Sequence, residues 1–143
     1  LWRYKKKSIP LEQFYNSKIR VRYGETDQMG VVYHGNYAQY LEIGRIEWLR
    51  SLGISYKKME EEWIILPVVS ISLKFMKSAV YDEVINVRTQ LNKIPTATLD
   101  FDYKITNEKG ELLSTANTVL VFVDKSTKRP TRCPQYILDK LQN

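Results

Sequence analysis

The chain is poor in the devices that cross-link, anchor or metallate a protein. It has one cysteine, Cys133, in 143 residues, which excludes an internal disulfide and a cysteine-based metal site within one chain. That usage fits a reducing compartment, and a cytoplasmic location is expected. No apolar run approaches the ~20 residues that a bilayer span requires, so no membrane span is expected. Serine and cysteine nucleophile motifs are absent, as are HExxH and GxxxxGK[ST]. No metal and no separate cofactor are therefore expected. Internal repeats, low-complexity tracts and interdomain linkers are missing too, and the length suits a single domain over 1–143. The opening "LWRYKKKSIP" is basic but has no apolar core of signal-peptide type. Residues 1–16 read as a frayed arm or a non-native remnant, outside the fold argument.

What is present is an ordinary globular composition, 43% hydrophobic with 27% charged residues, which excludes a disordered chain. The net charge is +6. Nucleic acid, anionic lipid or a phosphate-bearing ligand would each suit that sign. However, the basic residues are dispersed apart from Lys5-Lys6-Lys7 and "DKSTKRPTR", and no stretch interleaves them with aromatics as a single-strand surface would. No nucleic-acid partner is expected. A solvated surface or a phosphate-bearing small molecule accounts for the charge.

Residues 36–52 place Tyr37, Tyr40, Leu41, Gly44, Trp48 and Leu52 at helical spacing, with Glu42, Arg45 and Arg50 in the polar complement. Asn36 and Gln39 have the spacing of a capping box, and Gly53 provides a stop. The second half has period two instead. In "ATLDFDYKITN", Ala97, Leu99, Phe101, Tyr103 and Ile105 alternate with polar residues. "EVINVRTQL" sets Ile85, Val87 and Leu91 on one face, and "LLSTANTVLVFV" is β-branched. "KIRVRY" and "WIILPVVSISLKF" supply two more strands, the latter with an irregularity at Pro67. "NKIPT" and "NEKG" are turn signals short enough for hairpins. The order predicts an α+β domain: a strand, a long helix, four strands in a meander, and a short terminal helix in "CPQYILDKLQN". An amphipathic helix and an antiparallel sheet each have one apolar face to bury, so a curved sheet wraps one central helix.

The stretch "YGETDQMGVVYHGNY", residues 23–37, precedes that helix and holds the only histidine. The first N–H groups of a helix lack intrahelical partners, and they favour an anion or a developing oxyanion. Asp27 beside them offers a general base or a nucleophile for acyl transfer. The same residues also suit a plain loop, with Asp27 forming a turn and His34 capping or packing.

"VRYGETDQMGVVYHGNYAQYLEIGR" resembles the signature of the 4-hydroxybenzoyl-CoA thioesterase-like family of hotdog-fold acyl-CoA thioesterases. The matching positions are Tyr23, Thr26, Asp27, Gly30, Val32, Tyr33, His34, Tyr37, Glu42 and Arg45. The likeness runs on through "ISLKFMKSAVYDEV" and "STANTVLVFVD", over about residues 17–138. Glu25 departs from the aspartate of the pattern and Gly44 from its alanine. The resemblance implies hydrolysis of an acyl-CoA to free acid and CoA. Asp27 would be nucleophile or general base, a backbone N–H near His34 would polarise the carbonyl, and His34 would orient water or substrate. Tyr33 and Tyr37 are expected as pocket walls, with Glu42 and Arg45 in a structural polar contact on the helix. The family's nucleotide position points to Lys93 and Thr96 in the turn between the third and fourth strands, with Lys77 after the second. A homodimer or homotetramer with an interfacial site is implied, in keeping with the open edges of such a sheet. Acyl carrier protein is an alternative carrier to CoA. A non-catalytic acyl-CoA or acyl-carrier-protein binding module and a hotdog dehydratase are the competing readings.

Overall fold

The computed structural model describes residues 13–141, so most of the expected N-terminal arm lies outside the described residues. Strand β1 is Phe14–Arg20, and it begins before residue 17, where the core was expected to start. Helix α1 is Tyr37–Ser51 and the short α2 is Tyr56–Glu61. Strands β2 (Ile64–Ile65), β3 (Val68–Phe75), β4 (Val84–Leu91), β5 (Thr98–Asn107) and β6 (Leu112–Val121) follow. The chain closes with β7 (Val123–Asp124), β8 (Arg129–Pro130) and α3 (Gln135–Leu141).

Five strands form one antiparallel sheet in the order β1-β4-β5-β6-β3, and β2-β7-β8 form a small second sheet. The expected four-strand meander holds only for β4-β5-β6. β3 crosses to the far edge and pairs with β6 rather than with β4. Its neighbour in sequence is not its partner: the loop between β3 and β4 is engaged by the segment before α1, through the isolated bridge of Val31 with Val80. Pro67 does interrupt the chain as expected, ending the β2 segment before β3 starts. α2 escapes a reading by periodicity: it has six residues, only Met59 is fully buried, and Ser55 Oγ caps it by accepting from Lys58 N–H at 3.0 Å.

The inner face of the sheet is the one that the alternation predicts. Leu99, Phe101, Tyr103 and Ile105 of β5 are buried beside Ile85, Val87 and Leu91 of β4. α1 lays Tyr37, Tyr40, Leu41, Trp48 and Leu49 against this face, with the Trp48 and Phe101 rings 5.1 Å apart. Gly44 allows the close approach, since a Cβ there would collide with Thr89 Oγ1 and lie 3.0 Å from Val87 Cγ1. Gly53, at φ +81°, ends the helix region as expected.

Two expectations about α1 fail. Asn36 is not its cap: it has helical backbone angles, φ −82° and ψ −11°, and makes no capping hydrogen bond. A 3₁₀ turn over His34–Asn36 runs into the helix, so the helical path already starts upstream. The Asn36 amide instead donates to the Glu25 carbonyl at 2.8 Å. Arg45 is not on the polar face and does not pair with Glu42. It is only 6% exposed, with Nη1 3.4 Å from the Tyr103 hydroxyl. That hydroxyl in turn shares a 2.6 Å hydrogen bond with Thr118. Burial pushes the Tyr103 phenol up to about 12, with the Arg45 charge opposing it, so the cluster holds a neutral phenol at neutral pH.

Candidate active site

The stretch before α1 folds back on itself. Thr26 and Val32 form an antiparallel bridge, and Tyr33 N–H donates to the Glu25 carbonyl at 3.0 Å. Asp27 and Val31 close the tip through a 2.8 Å backbone bond, with Gly30 at φ +80° making the turn. Val32 N–H donates to the Ala79 carbonyl at 2.9 Å, which fastens this hairpin to the loop before β4.

Glu25 is the fastening that the sequence did not reveal. Its carboxylate is buried, 8% exposed, and accepts from Arg22 N–H at 2.9 Å and from the Tyr40 hydroxyl at 2.8 Å through Oε1. Oε2 accepts from Arg22 Nε at 3.0 Å. Burial on its own would raise this carboxyl, but the Arg22 backbone N–H, the Tyr40 hydroxyl and the Arg22 guanidinium together hold it below the usual glutamate value. Glu25 thus ties the hairpin to the second turn of α1. Nothing in the spacing of residues 25 and 40 announces this contact, because the helix begins between them.

Asp27 has the opposite environment. It is exposed, and Oδ1 accepts from Met29 N–H at 2.8 Å and more weakly from Val31 N–H at 3.4 Å. No hydrogen bond among the described residues uses its Oδ2. The turn-forming reading of Asp27 is therefore correct for one oxygen and leaves the other available. Across the hairpin, the N–H groups of His34 and Gly35 stand at the start of the 3₁₀ turn, where no earlier carbonyl of the turn can accept from them. A Cβ on Gly35 would lie 2.5 Å from the Tyr33 ring, so only glycine fits beneath that ring without moving it.

The expected site residues separate into two groups. Tyr33 is half-exposed with its ring 4.5 Å from that of His34, which is exposed. Tyr37 is buried, its ring 5.0 Å from Phe75 and its hydroxyl 3.4 Å from the Ala79 N–H. Lys77, in the loop after β3, pairs with Glu111 at 2.7 Å. These residues and Asp27 lie at the end of the sheet where β3 finishes and β4 begins. Lys93 and Thr96 lie in the turn after β4, at the other end of an eight-residue strand about 26 Å long. The single chain does not bring the two groups together. The exposed Tyr23 and Tyr81 rings meet edge to face at 5.6 Å, Tyr81 N–H lies 3.4 Å from the Gly30 carbonyl at the hairpin tip, and Met29 is 85% exposed. Tyr23 belongs to the signature, but the sequence pattern gave no reason to single out Tyr81 or Met29. Among the described residues there is no group of His, Cys, Asp and Glu suited to a metal, and no helix long and apolar enough to cross a membrane.

This architecture has counterparts among known proteins. A solved structure, the DHNA-CoA thioesterase of Staphylococcus aureus, is similar with a TM-score of 0.83 and 40% identity, over 88% of this chain and 85% of that one. YneP of Bacillus subtilis is 38% identical over 113 residues, 79% of this chain and 82% of its own length. The acyl-CoA thioester hydrolase YbgC of Escherichia coli is 29% identical over 120 residues, 84% of this chain and 90% of its own. The model of the thioesterase-like superfamily matches residues 21–141, from the end of β1 to the end of α3. The sheet wrapped on one helix is the hotdog fold, and this chain belongs to the thioesterase-like superfamily as a thioester hydrolase.

Proposed function

We propose that the enzyme hydrolyses acyl-CoA, with Asp27 as general base on water or as nucleophile, and with the N–H groups of His34 and Gly35 receiving the developing oxyanion. The observation that carries this reading is the division of labour within the Asp27 carboxylate. Oδ1 is held by its own loop while Oδ2 is left free, and the pairing of 26 with 32 folds the arm that carries Asp27 back alongside the arm that leads to the His34 and Gly35 N–H groups. A fixed acid beside oriented donors is the arrangement that acyl transfer needs. His34, exposed and with its ring 4.5 Å from that of Tyr33 at a 43° tilt, would orient water or the acyl group. CoA is preferred over acyl carrier protein as the thiol, because YbgC and the DHNA-CoA thioesterase are named for CoA esters; a relative in Arabidopsis thaliana, 29% identical, is named for acyl carrier protein esters and keeps that carrier as the alternative. An aromatic acyl group is favoured by the similarity to the DHNA-CoA thioesterase and by the exposed Tyr23–Tyr81 pair next to the hairpin tip.

The working unit in this reading is a homodimer or a pair of dimers. Supporting it is β3, an edge strand on which Val69, Ile71 and Phe75 are about half exposed (58%, 47% and 48%). Apolar side chains on an unpaired edge call for a partner. Antiparallel pairing of two β3 strands would set the Asp27 end of one sheet beside the Lys93 end of the other. That is the one arrangement in which Lys93 and Thr96 serve the thioester site.

The test is Asp27→Asn. Asparagine keeps an Oδ1 acceptor for the loop and removes the charge, so the melting temperature stays at the wild-type value. Thiol release from an acyl-CoA panel should fall ~10²–10⁴-fold in kcat. Wild-type kcat in this variant would reduce the stretch to a structural loop. Sedimentation of the active wild-type protein as a clean monomer would sink the interfacial site alone.

A further inference from the structure

The outer face of the sheet, turned away from α1, holds a groove of about 580 Å³ whose lining includes none of the residues assigned above to the thioester site. Register fixes its composition. Arg88 on β4 stands directly opposite Lys104 on β5. Lys104 stands opposite Thr115 on β6, and Thr115 opposite Lys74 on β3. Three cations and a hydroxyl therefore form one straight row across four strands, with successive members about 5 Å apart at the backbone. Like charges placed directly opposite in a sheet repel and destabilise it.

The carboxylates of the same face do not neutralise the row. Asp100 and Asp102 are engaged by side-chain amides: Asn117 donates to them at 2.7 and 2.9 Å, and Asn92 to Asp100 at 2.7 Å. None of the ion pairs among the described residues includes Arg88, Lys104 or Lys74. The Arg88 guanidinium is held in place, 3.9 Å above the centre of the Phe14 ring. The neighbouring row, Gln90, Asp102, Asn117 and Ser72, lines the same groove with hydrogen-bonding groups of both senses.

We propose that this groove is a second ligand site, one that takes a small molecule bearing a phosphoryl group. The phosphoryl oxygens would lie over the Arg88–Lys104–Thr115 segment, where a guanidinium, an ammonium and a hydroxyl all donate. Lys74 sits one strand beyond, within reach of a second phosphoryl group. The polar row receives the hydroxyl or amine groups of the rest of the molecule, with Asp102 as acceptor. The volume lies within the ~300–1,000 Å³ range of small-molecule sites. The phosphate could belong to the nucleotide of a CoA ester or to a free phosphorylated metabolite. The chemistry of recognition is the same for both.

The experiment uses the full chain at low ionic strength, with pyrophosphate and ADP as probes in calorimetric titration. Lys104→Gln/Lys74→Gln removes two cations from the exposed row, and Lys125→Gln/Lys128→Gln removes two from a distant hairpin as a charge-matched control. The groove variant should raise the Kd for pyrophosphate at least tenfold while the control leaves it within twofold. No binding to the wild type, or equal loss in both variants, overturns the proposal. Steady-state assays then identify the source of the phosphate. If KM rises for acyl-CoA but not for a pantetheine thioester, the groove receives the nucleotide of the substrate. If neither KM moves while pyrophosphate binding is lost, it receives a separate metabolite. Both results uphold the site. They are independent of Asp27, whose failure would show in kcat and leave the titration unchanged.

Discussion

Gly44 stands where the family resemblance leads one to expect alanine, and the structure turns that departure into a measurable energy. Helix propensity favours alanine over glycine by about 1 kcal/mol, so Gly44→Ala in an exposed helix would stabilise it. Here the added Cβ collides with Thr89 Oγ1 and comes within 3.0 Å of Val87 Cγ1. Both residues are on β4, which is hydrogen-bonded on its two sides to β1 and β5 and cannot retreat alone. Thr89 is fully buried, so its side chain has nowhere to swing. Overpacking of this kind typically costs ~1–3 kcal/mol, which exceeds the propensity gain. A net loss of about 1 kcal/mol is expected, equivalent to a fall of about 3 °C in Tm for a chain of this size. The second half of the reasoning is that Thr89 Oγ1 has no hydrogen-bond partner among the described residues, so removing it breaks no bond. Thr89→Ala should therefore restore Gly44→Ala to at least the wild-type Tm. Calorimetric melts of wild type, both single variants and the double variant give the coupling energy, which should reach about 1 kcal/mol. A Gly44→Ala variant that melts at or above wild type would refute the close-approach argument. So would additive single effects, because they would mean that helix and strand move apart freely.

Three further outcomes follow from the same structure. Tyr40→Phe removes one of the donors to the buried Glu25 carboxylate and should cost about 1.5–3 kcal/mol in a denaturant melt, with activity per folded molecule retained. Because the Glu25 carboxyl is held below its ordinary value of 4.5, its ionised form contributes stability that is fully present above that pH and is lost as pH falls through the lowered value. The difference in Tm between wild type and Glu25→Gln should thus be constant near neutrality and shrink below about pH 4.5; a gap that persists into strong acid would contradict the assignment. Ile71→Arg places a charge on the uncovered edge strand, where the residue is 47% exposed, so the fold should survive while sedimentation shifts to a lighter species and activity falls with it.

The alternation in "ATLDFDYKITN" was sufficient to orient the central strand, because one face of an antiparallel sheet is buried and the other is not. The spacing of Tyr37, Tyr40, Leu41, Gly44 and Trp48 was sufficient for the same reason in α1. Pairing was less legible. The sequence shows that β3 is a strand, but its place beside β6 depends on the crossover of a loop whose anchors, Val31 with Val80 and Val32 with Ala79, are backbone contacts without a side-chain signature. Arg45 illustrates a different limit. Its position on the helix faces the sheet, yet its charge argues for solvent, and the Tyr103 hydroxyl on β5, itself bonded to Thr118 on β6, decides the matter. Asp27 was singled out from the loop by resemblance and by the N–H groups expected next to it. The structure adds which of its oxygens is committed.

Two acids two residues apart illustrate why a motif alone does not assign chemistry. Glu25 and Asp27 both precede the helix and both carry a carboxylate that the resemblance would place in the signature. Glu25 uses both of its oxygens internally, on Arg22 and Tyr40, and is shut away from solvent. Attacking a thioester with it would mean giving up the contacts that hold the hairpin against α1. Asp27 gives one oxygen to two N–H groups of its own tip and is otherwise open. The hairpin makes the two roles inseparable in position and separable in function. The buried acid fixes the angle at which the loop leaves the helix, and that angle decides where the free oxygen of the exposed acid stands relative to the N–H groups of His34 and Gly35. In the proposed mechanism, damage to Glu25 would reach the reaction through the placement of Asp27, while Asp27→Asn would leave the contacts of Glu25 in place.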